Sequence, residues 1–362
     1  MEIRKAVPFV PVRSLGLRCL SVFATLALAS TVACAKGPSA DAAGKAPGSV
    51  ASVSTGSTDA TPVAPAVPLP DNAPPPDNAP LPHIDAKRSF EYTREVTAFG
   101  TRYMGSENHK KLERYIIDHL KADRLNADEI VDDAFTADTV EGKFPVRNII
   151  AKFPGTKDGI IVILGHYDTV YPLRNSGFVG ANDGGSSTAI LLEFANQLRG
   201  GVSGKKRDGY SVWLVWTDGE EAVKTWTATD SLYGTRHLAE KWEKDGTLKR
   251  IKALMVMDMI GDADLNIDRD SNSTPWLLDL IYAAAEREGY QSHFYAREGP
   301  LEDDHLPFVK RGVPSADVID LDYGYNNVFH HTAQDTMDKL SSKSLQIAGD
   351  TIMETIRLLD QR

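Results

Sequence analysis

Cysteine is almost absent from this 362-residue sequence: only Cys19 and Cys34 occur, both within the first 34 residues. The remainder therefore has no disulfide, no zinc–thiolate site and no cysteine nucleophile. Long apolar runs are missing too. None approaches the roughly 20 residues that span a bilayer, which excludes a helical membrane-spanning fold. Basic clusters are also lacking: 40 Lys+Arg stand against 50 Asp+Glu, a formal net charge of −10. Phosphate binding needs clustered Lys and Arg, so nucleic acid is excluded as the main partner. What remains, 42% hydrophobic and 25% charged residues, is the composition of a globular protein.

The two cysteines belong to an address. Arg4, Lys5, Arg13 and Arg18 precede an apolar and small-residue stretch from Leu20 to Ala33, the pattern of a secretory signal. Its end, Thr31-Val32-Ala33-Cys34, fits a bacterial lipoprotein signal in which Cys34 is lipidated. Plain cleavage around Ala33-Cys34-Ala35 is the alternative. Residues 1–34 are therefore expected to export the chain to the bacterial cell envelope or periplasm. A lipid on Cys34 would be its one membrane contact; without it the protein would be secreted. Residues 35–82 are Ala, Pro, Ser and Gly with few large side chains, and nine of the 20 prolines fall between Pro62 and Pro82. Such a segment cannot bury enough apolar surface to offset its ordering entropy, so it reads as a disordered, extended tether.

Residues 83–362 read as one α/β domain. Gly159 to Leu164, Ser211 to Trp216, Ala253 to Met257 and Ala316 to Ile319 are short, largely apolar runs of strand length. Helical periodicity marks Ser106–Lys121, Thr188–Leu198, Thr235–Glu243, Pro275–Arg287 and Ser344–Leu359. Alternation of this kind predicts a mostly parallel central sheet flanked by helices on both faces. Ligands in such sheets bind beyond the carboxyl ends of the strands.

Acids and histidines stand where those strands should end. The first runs into His166-Tyr167-Asp168, followed by Asn182-Asp183-Gly184-Gly185 before a helix. The second runs into Asp218-Gly219-Glu220-Glu221, the third into Asp258. Glu302-Asp303-Asp304-His305 and His330-His331-Thr332 come later. Each has an ordinary reading: Asp183 as a helix cap, Asp218-Gly219 as a turn, His305 as a structural histidine, Trp226 as packing. Together they would repel unless a cation sat among them. Imidazole nitrogen with carboxylate oxygen, and no thiolate, suits zinc in an open catalytic site. The expected ligands are Asp183, Glu221 and His331, with His166 and Asp258 as close neighbours. Glu220, beside a ligand, is then the candidate general acid/base.

These residues resemble the M28-type zinc exopeptidases, through His166-Tyr167-Asp168, Asp183-Gly184-Gly185, Asp218-Gly219-Glu220-Glu221-Ala222, Met257-Asp258 and His331-Thr332. Within that superfamily the sequence is similar to the glutaminyl-peptide cyclotransferases of animal type. Trp226, the run Asp230 to Leu238, and Glu302 to Phe308 with Arg311 to Pro314 carry that likeness, which extends from about Phe99 to Leu359. The resemblance implies one zinc on Asp183, Glu221 and His331, and cyclisation of an N-terminal glutamine of peptides or proteins. It also implies Glu220 as acid/base, Asp258 and Asp303 as a supporting carboxylate network sharing a proton, and Trp226 in the substrate pocket. The sequence departs from the family at His330, where a tryptophan is usual, and in the loop Tyr323 to Phe329. Both His330 and Phe329 are expected to bear on the pocket wall. The rival expectation is a di-zinc aminopeptidase in which His166 and Asp258 hold a second metal and Asp183 bridges.

Overall fold

The computed structural model describes residues 80–122, 129–199 and 206–362. The expected signal 1–34, its Cys34, and the tether as far as residue 79 lie outside the described residues. Helix α1 (Ala86–Thr97) and helix α2 (Glu107–Ala122) lead into a hairpin of β1 (Ile130–Thr139) and β2 (Gly142–Phe153). Then follow β3 (Gly155–His166), α3 (Gly185–Arg199), β4 (Arg207–Thr217), α4 (Tyr233–Lys244) and β5 (Ile251–Asp258). A short pair, β6 (Ile267–Asp270) and β7 (Phe294–Gly299), brackets α5 (Pro275–Glu288). The chain closes with α6 (Leu306–Val309), β8 (Ser315–Ile319) and α7 (Ser342–Asp360).

The six-stranded sheet has the order β1-β2-β4-β3-β5-β8. Strands β4, β3, β5 and β8 are mutually parallel, and β1–β2 adds an antiparallel edge. These four parallel strands are the four runs expected from the sequence, β8 extended by one residue and the other three by several. They were visible because a strand covered on both faces must be apolar on both faces. In β3, Ile161 and Ile163 face a large core built with α1, α2, α3, α5 and α7. Ile160, Val162 and Leu164 face a smaller one with α4 and Phe308 of α6. Helices thus cover both faces.

Helix α1, the β1–β2 hairpin and the β6–β7 pair were not expected. Helix α1 is polar, with only Ser89, Thr93 and Val96 buried, so it lacks an apolar stripe. It docks through an ion pair of Arg88 with the buried Glu193 of α3, 2.6 Å between Nε and Oε2. Strand β1 carries paired acids, of which Asp133 is buried against Asn148 and Lys241. The β6–β7 pair is too short for a periodicity to register.

Register fixes where the chemistry goes. His166 pairs with Thr217, and Asp258 with Ile319, at the carboxyl ends of their strands. The loops after β3, β4, β5 and β8 therefore open on one edge of the sheet.

Candidate functional site

At that edge His331, from the loop after β8, meets two acids. Its Nε2 lies 3.2 Å from Asp183 Oδ2 and 3.1 Å from Glu221 Oε1. Asp183, 3% exposed, comes from the turn before α3; Glu221, equally buried, follows β4. On the other side of Asp183 stands His166, whose Nε2 is 3.2 Å from Asp183 Oδ1 and 3.1 Å from Asp258 Oδ1. All five expected metal neighbours are thus gathered around Asp183. Burial alone would raise the Asp183 carboxyl, but hydrogen bonds from His166 and His331 outweigh it and hold it well below the usual range. Burial likewise opposes charge on His331, yet Glu221 and Asp183 push its imidazole up to about 11. The pull those two acids exert on a proton is the pull they would exert on a cation.

Fit to a metal can be judged from the donor atoms. Glu221 Oε2 is buried without a hydrogen-bond partner, a costly condition for oxygen in a closed site. Burial and Asp183 push the Glu221 carboxyl up to about 7 against the opposing influence of His331. Imidazole and carboxylate donors, with an orphaned oxygen among them, fit a divalent cation.

Sequence reasoning marked Asp168 only as part of the His166-Tyr167-Asp168 motif and missed Asp335 and Arg102, all of which hold this arrangement. Asp168 accepts the backbone N–H groups of Glu220 and Glu221, at 3.2 and 3.3 Å, and so fixes the turn that aims them apart. Asp335 accepts from the N–H groups of Asn182 and Asp183 and from the Tyr323 hydroxyl. The wholly buried Arg102 donates to the carbonyls of Tyr167, Gly100, Val179 and Gly180, tying down the loop that leads to Asp183. Burial lowers its guanidinium to about 10. His331 itself has a left-handed backbone (φ 51°), as does Met259 beside Asp258 (φ 49°). Two such residues at one site mark strain that the surrounding packing sustains.

Glycine is required at one position of the site. Gly184 has φ 75°, and a Cβ there would stand 2.7 Å from the Asp168 carbonyl oxygen and 3.1 Å from the His166 ring. Gly184→Ala is expected to lower stability by about 2–3 kcal/mol and to displace His166. Urea unfolding would check it, an unchanged midpoint being the contrary result.

Beyond Glu220 lies a second group of acids. Burial, then Glu221, Asp303 and Asp304, drive the Glu220 carboxyl well above its usual range although His166 opposes them. Its Oε2 is 3.9 Å from His166 Nδ1. Burial and Asp258 raise Asp303 to about 6. Burial, then Asp303, Asp270 and Asp258, drive the carboxyl of Asp317 on β8 well above its usual range. Asp258, the expected sharer of a proton with Asp303, accepts from His166 and the Met259 N–H. Asp317 was read only as part of a strand, and nothing local marks it as functional. Asp304 turns away to the hydroxyls of Thr217 and Thr235. His305 is wholly buried, its Nε2 2.9 Å from Asp270.

The expected pocket residues are placed less uniformly. Trp226 is half-buried and donates its indole N–H to Glu302 at 3.1 Å. Its loop is held by Asp230, which accepts from the N–H groups of Val223, Lys224 and Thr225. His330 lies against His331, ring centroids 4.0 Å apart, and within hydrogen-bonding distance of Asn327. Burial holds its pKa below the usual value. Phe329 packs edge-on against the buried Tyr323, with Lys339 over its face, and so supports the loop.

A mostly parallel sheet with helices on both faces, gathering imidazoles and carboxylates at its strand ends, defines an α/β protein of zinc exopeptidase type with a candidate metal centre. Residues 148–356 match peptidase family M28. The crystal structure of an Acidobacteriales bacterium glutaminyl cyclase is 51% identical, with a TM-score of 0.76, and covers 80% of this chain and 99% of its own. A glutaminyl-peptide cyclotransferase of Drosophila melanogaster is 31% identical over 238 residues, 60% of this chain. A glutaminyl-peptide cyclotransferase-like protein of Bos taurus is 31% identical over 208 residues, 52% of this chain. The chain spans 66% and 54% of the lengths of these two curated relatives. It belongs to peptidase family M28 and, within it, to the glutaminyl cyclase family.

Proposed function

We propose that this chain is a zinc-dependent glutaminyl-peptide cyclotransferase, converting the N-terminal glutamine of peptides or proteins to pyroglutamate with release of ammonia. The observation that carries the reading is the divergence of two adjacent carboxylates. Glu221 turns to His331 at 3.1 Å, whereas Glu220 faces His166 and the acids Asp303 and Asp304. One is available to a metal and the other to a proton. The 51% identity to a bacterial glutaminyl cyclase supports the same choice.

Asp183, Glu221 and His331 would hold the zinc, which when bound supplies polarisation of the γ-carbonyl and stabilisation of the charge developing on its oxygen. The α-amine of the glutamine attacks the carbonyl carbon (Cδ) of its own side-chain amide, the new carbon–nitrogen bond closes the five-membered ring, and the bond from that carbon to the side-chain nitrogen breaks, so that the nitrogen leaves as ammonia. Glu220 takes the proton from the attacking amine and returns it to the leaving nitrogen. Burial, with like charges around it, keeps its proton affinity high enough for both tasks. Asp258, Asp303 and Asp317 form the carboxylate wall beside it. Trp226 and His330 would hold the glutamine folded back on its own amine, an orientation effect. Export through residues 1–34, with lipid on Cys34, belongs to the same proposal and rests on the sequence pattern described above.

The test is mass spectrometry of a glutamine-headed peptide incubated with the protein. Loss of one ammonia from an otherwise intact peptide is the expected result. Free glutamine and a peptide one residue shorter would instead establish an aminopeptidase, with His166 and Asp258 as second-metal ligands.

A further inference from the structure

Where the described chain begins, His83, ahead of α1, meets two acids on helices that supply nothing to the candidate active site. His83 Nδ1 lies 3.0 Å from Asp350 Oδ2, in the middle of α7, and 3.8 Å from Glu288 Oε2, at the end of α5. One donor atom from each falls within 4.8 Å of the other two. The Glu288 and Asp350 side chains are wholly buried, while that of His83 is 56% exposed, so the group is closed on the inside and open to solvent on one side.

The decisive feature is Glu288. Neither of its carboxylate oxygens has a hydrogen-bond partner, although both are buried. Asp350 is better served, accepting from the Ile84 N–H at 2.7 Å and the Tyr290 hydroxyl at 3.2 Å. The nearby arginines are engaged elsewhere: Arg287 and Arg357 both bond to Glu354. Two buried acids thus share one half-exposed imidazole, and an orphaned carboxylate points into the group. Native interiors satisfy such oxygens with donors or with an ion.

We infer that His83, Glu288 and Asp350 form a second divalent-cation site, independent of the catalytic one. One imidazole and two carboxylates, without thiolate, select a borderline transition ion such as Zn²⁺, Co²⁺ or Ni²⁺ over Mg²⁺ or Ca²⁺. Three protein ligands leave the solvent side for water. Bound there, the ion clamps the start of the domain, at His83, onto α5 and α7. Because it binds the folded chain, it stabilises that fold by mass action.

The experiment is equilibrium dialysis of the full chain against Zn²⁺ with metal analysis, on the natural sequence and on His83→Ala, Glu288→Gln and Asp183→Asn. Two zinc ions per natural chain are expected, and one in His83→Ala, whose surface position spares the fold and the cyclase reaction. Glu288→Gln is expected to match it, with the second binding step weakened at least tenfold. Asp183→Asn reports on the other site, so a chain that keeps its His83-dependent zinc there supports this inference whatever becomes of the catalytic reading. Added Ni²⁺ should raise the Tm of the natural chain and leave that of His83→Ala unmoved. Equal zinc content and equal Ni²⁺ response in the natural chain and His83→Ala would overturn the site and leave a hydrogen-bonded pin.

Discussion

Glu220→Gln is expected to lower kcat for a glutamine-headed peptide by about 10²–10⁴-fold, the range associated with loss of a positioned acid/base. Glutamine keeps the shape and polarity of the side chain but cannot take up and return a proton. Zinc content should stay that of the unsubstituted protein, since Glu221 and His331 meet without help from Glu220. KM should change little, because the proton is transferred only as the ring closes. Steady-state kinetics with parallel metal analysis separates the possibilities. Unchanged turnover would remove Glu220 from the reaction, and a loss of zinc would make it a ligand.

The second large effect concerns the metal. His331→Ala removes the one imidazole that stands between Asp183 and Glu221, at 3.2 and 3.1 Å. Two buried carboxylates then face each other without the group that compensated them. Zinc affinity should fall by more than the roughly 10–100-fold that follows loss of an outer partner, and activity should fall with it. Restoration of part of that activity by excess zinc is the accompanying expectation. Stoichiometric zinc in the purified variant would strike His331 from the ligand set. Asp183→Asn is the companion test, since Asp183 touches both histidines.

These expectations rest on residues that the sequence exposed, because metal and acid/base chemistry needs particular side chains. Asp183 sits in a glycine-rich turn, and Glu220, Glu221 and Asp258 sit where apolar runs end, and strand ends are where such sheets bind ligands; His331 stood out as a histidine beside a second histidine. The four parallel strands were legible for a related reason: a strand buried on both faces leaves an unbroken apolar run, as Ile160 to Leu164 does. The edge hairpin and helix α1 left no such mark. Their buried positions include Asp133, held by the distant Asn148 and Lys241, and Ser89 and Thr93, whose hydroxyls donate to carbonyls four residues back, so neither element shows an apolar stripe.

The sequence by itself determined the α/β class, the strands of the sheet core and the chemical identity of the site. Only the tertiary structure decided how those acids are arranged. Glu220 and Glu221 are neighbours with the same side chain, and their divergence comes from Asp168 holding both backbone N–H groups. Asp317 feels the charge of Asp258 because β8 lies beside β5 in the sheet, a register no local pattern encodes. His331 reaches Asp183 through a left-handed backbone sustained by the packing around it. Local sequence sets which groups are available, whereas burial and long-range pairing set their distances and their charge.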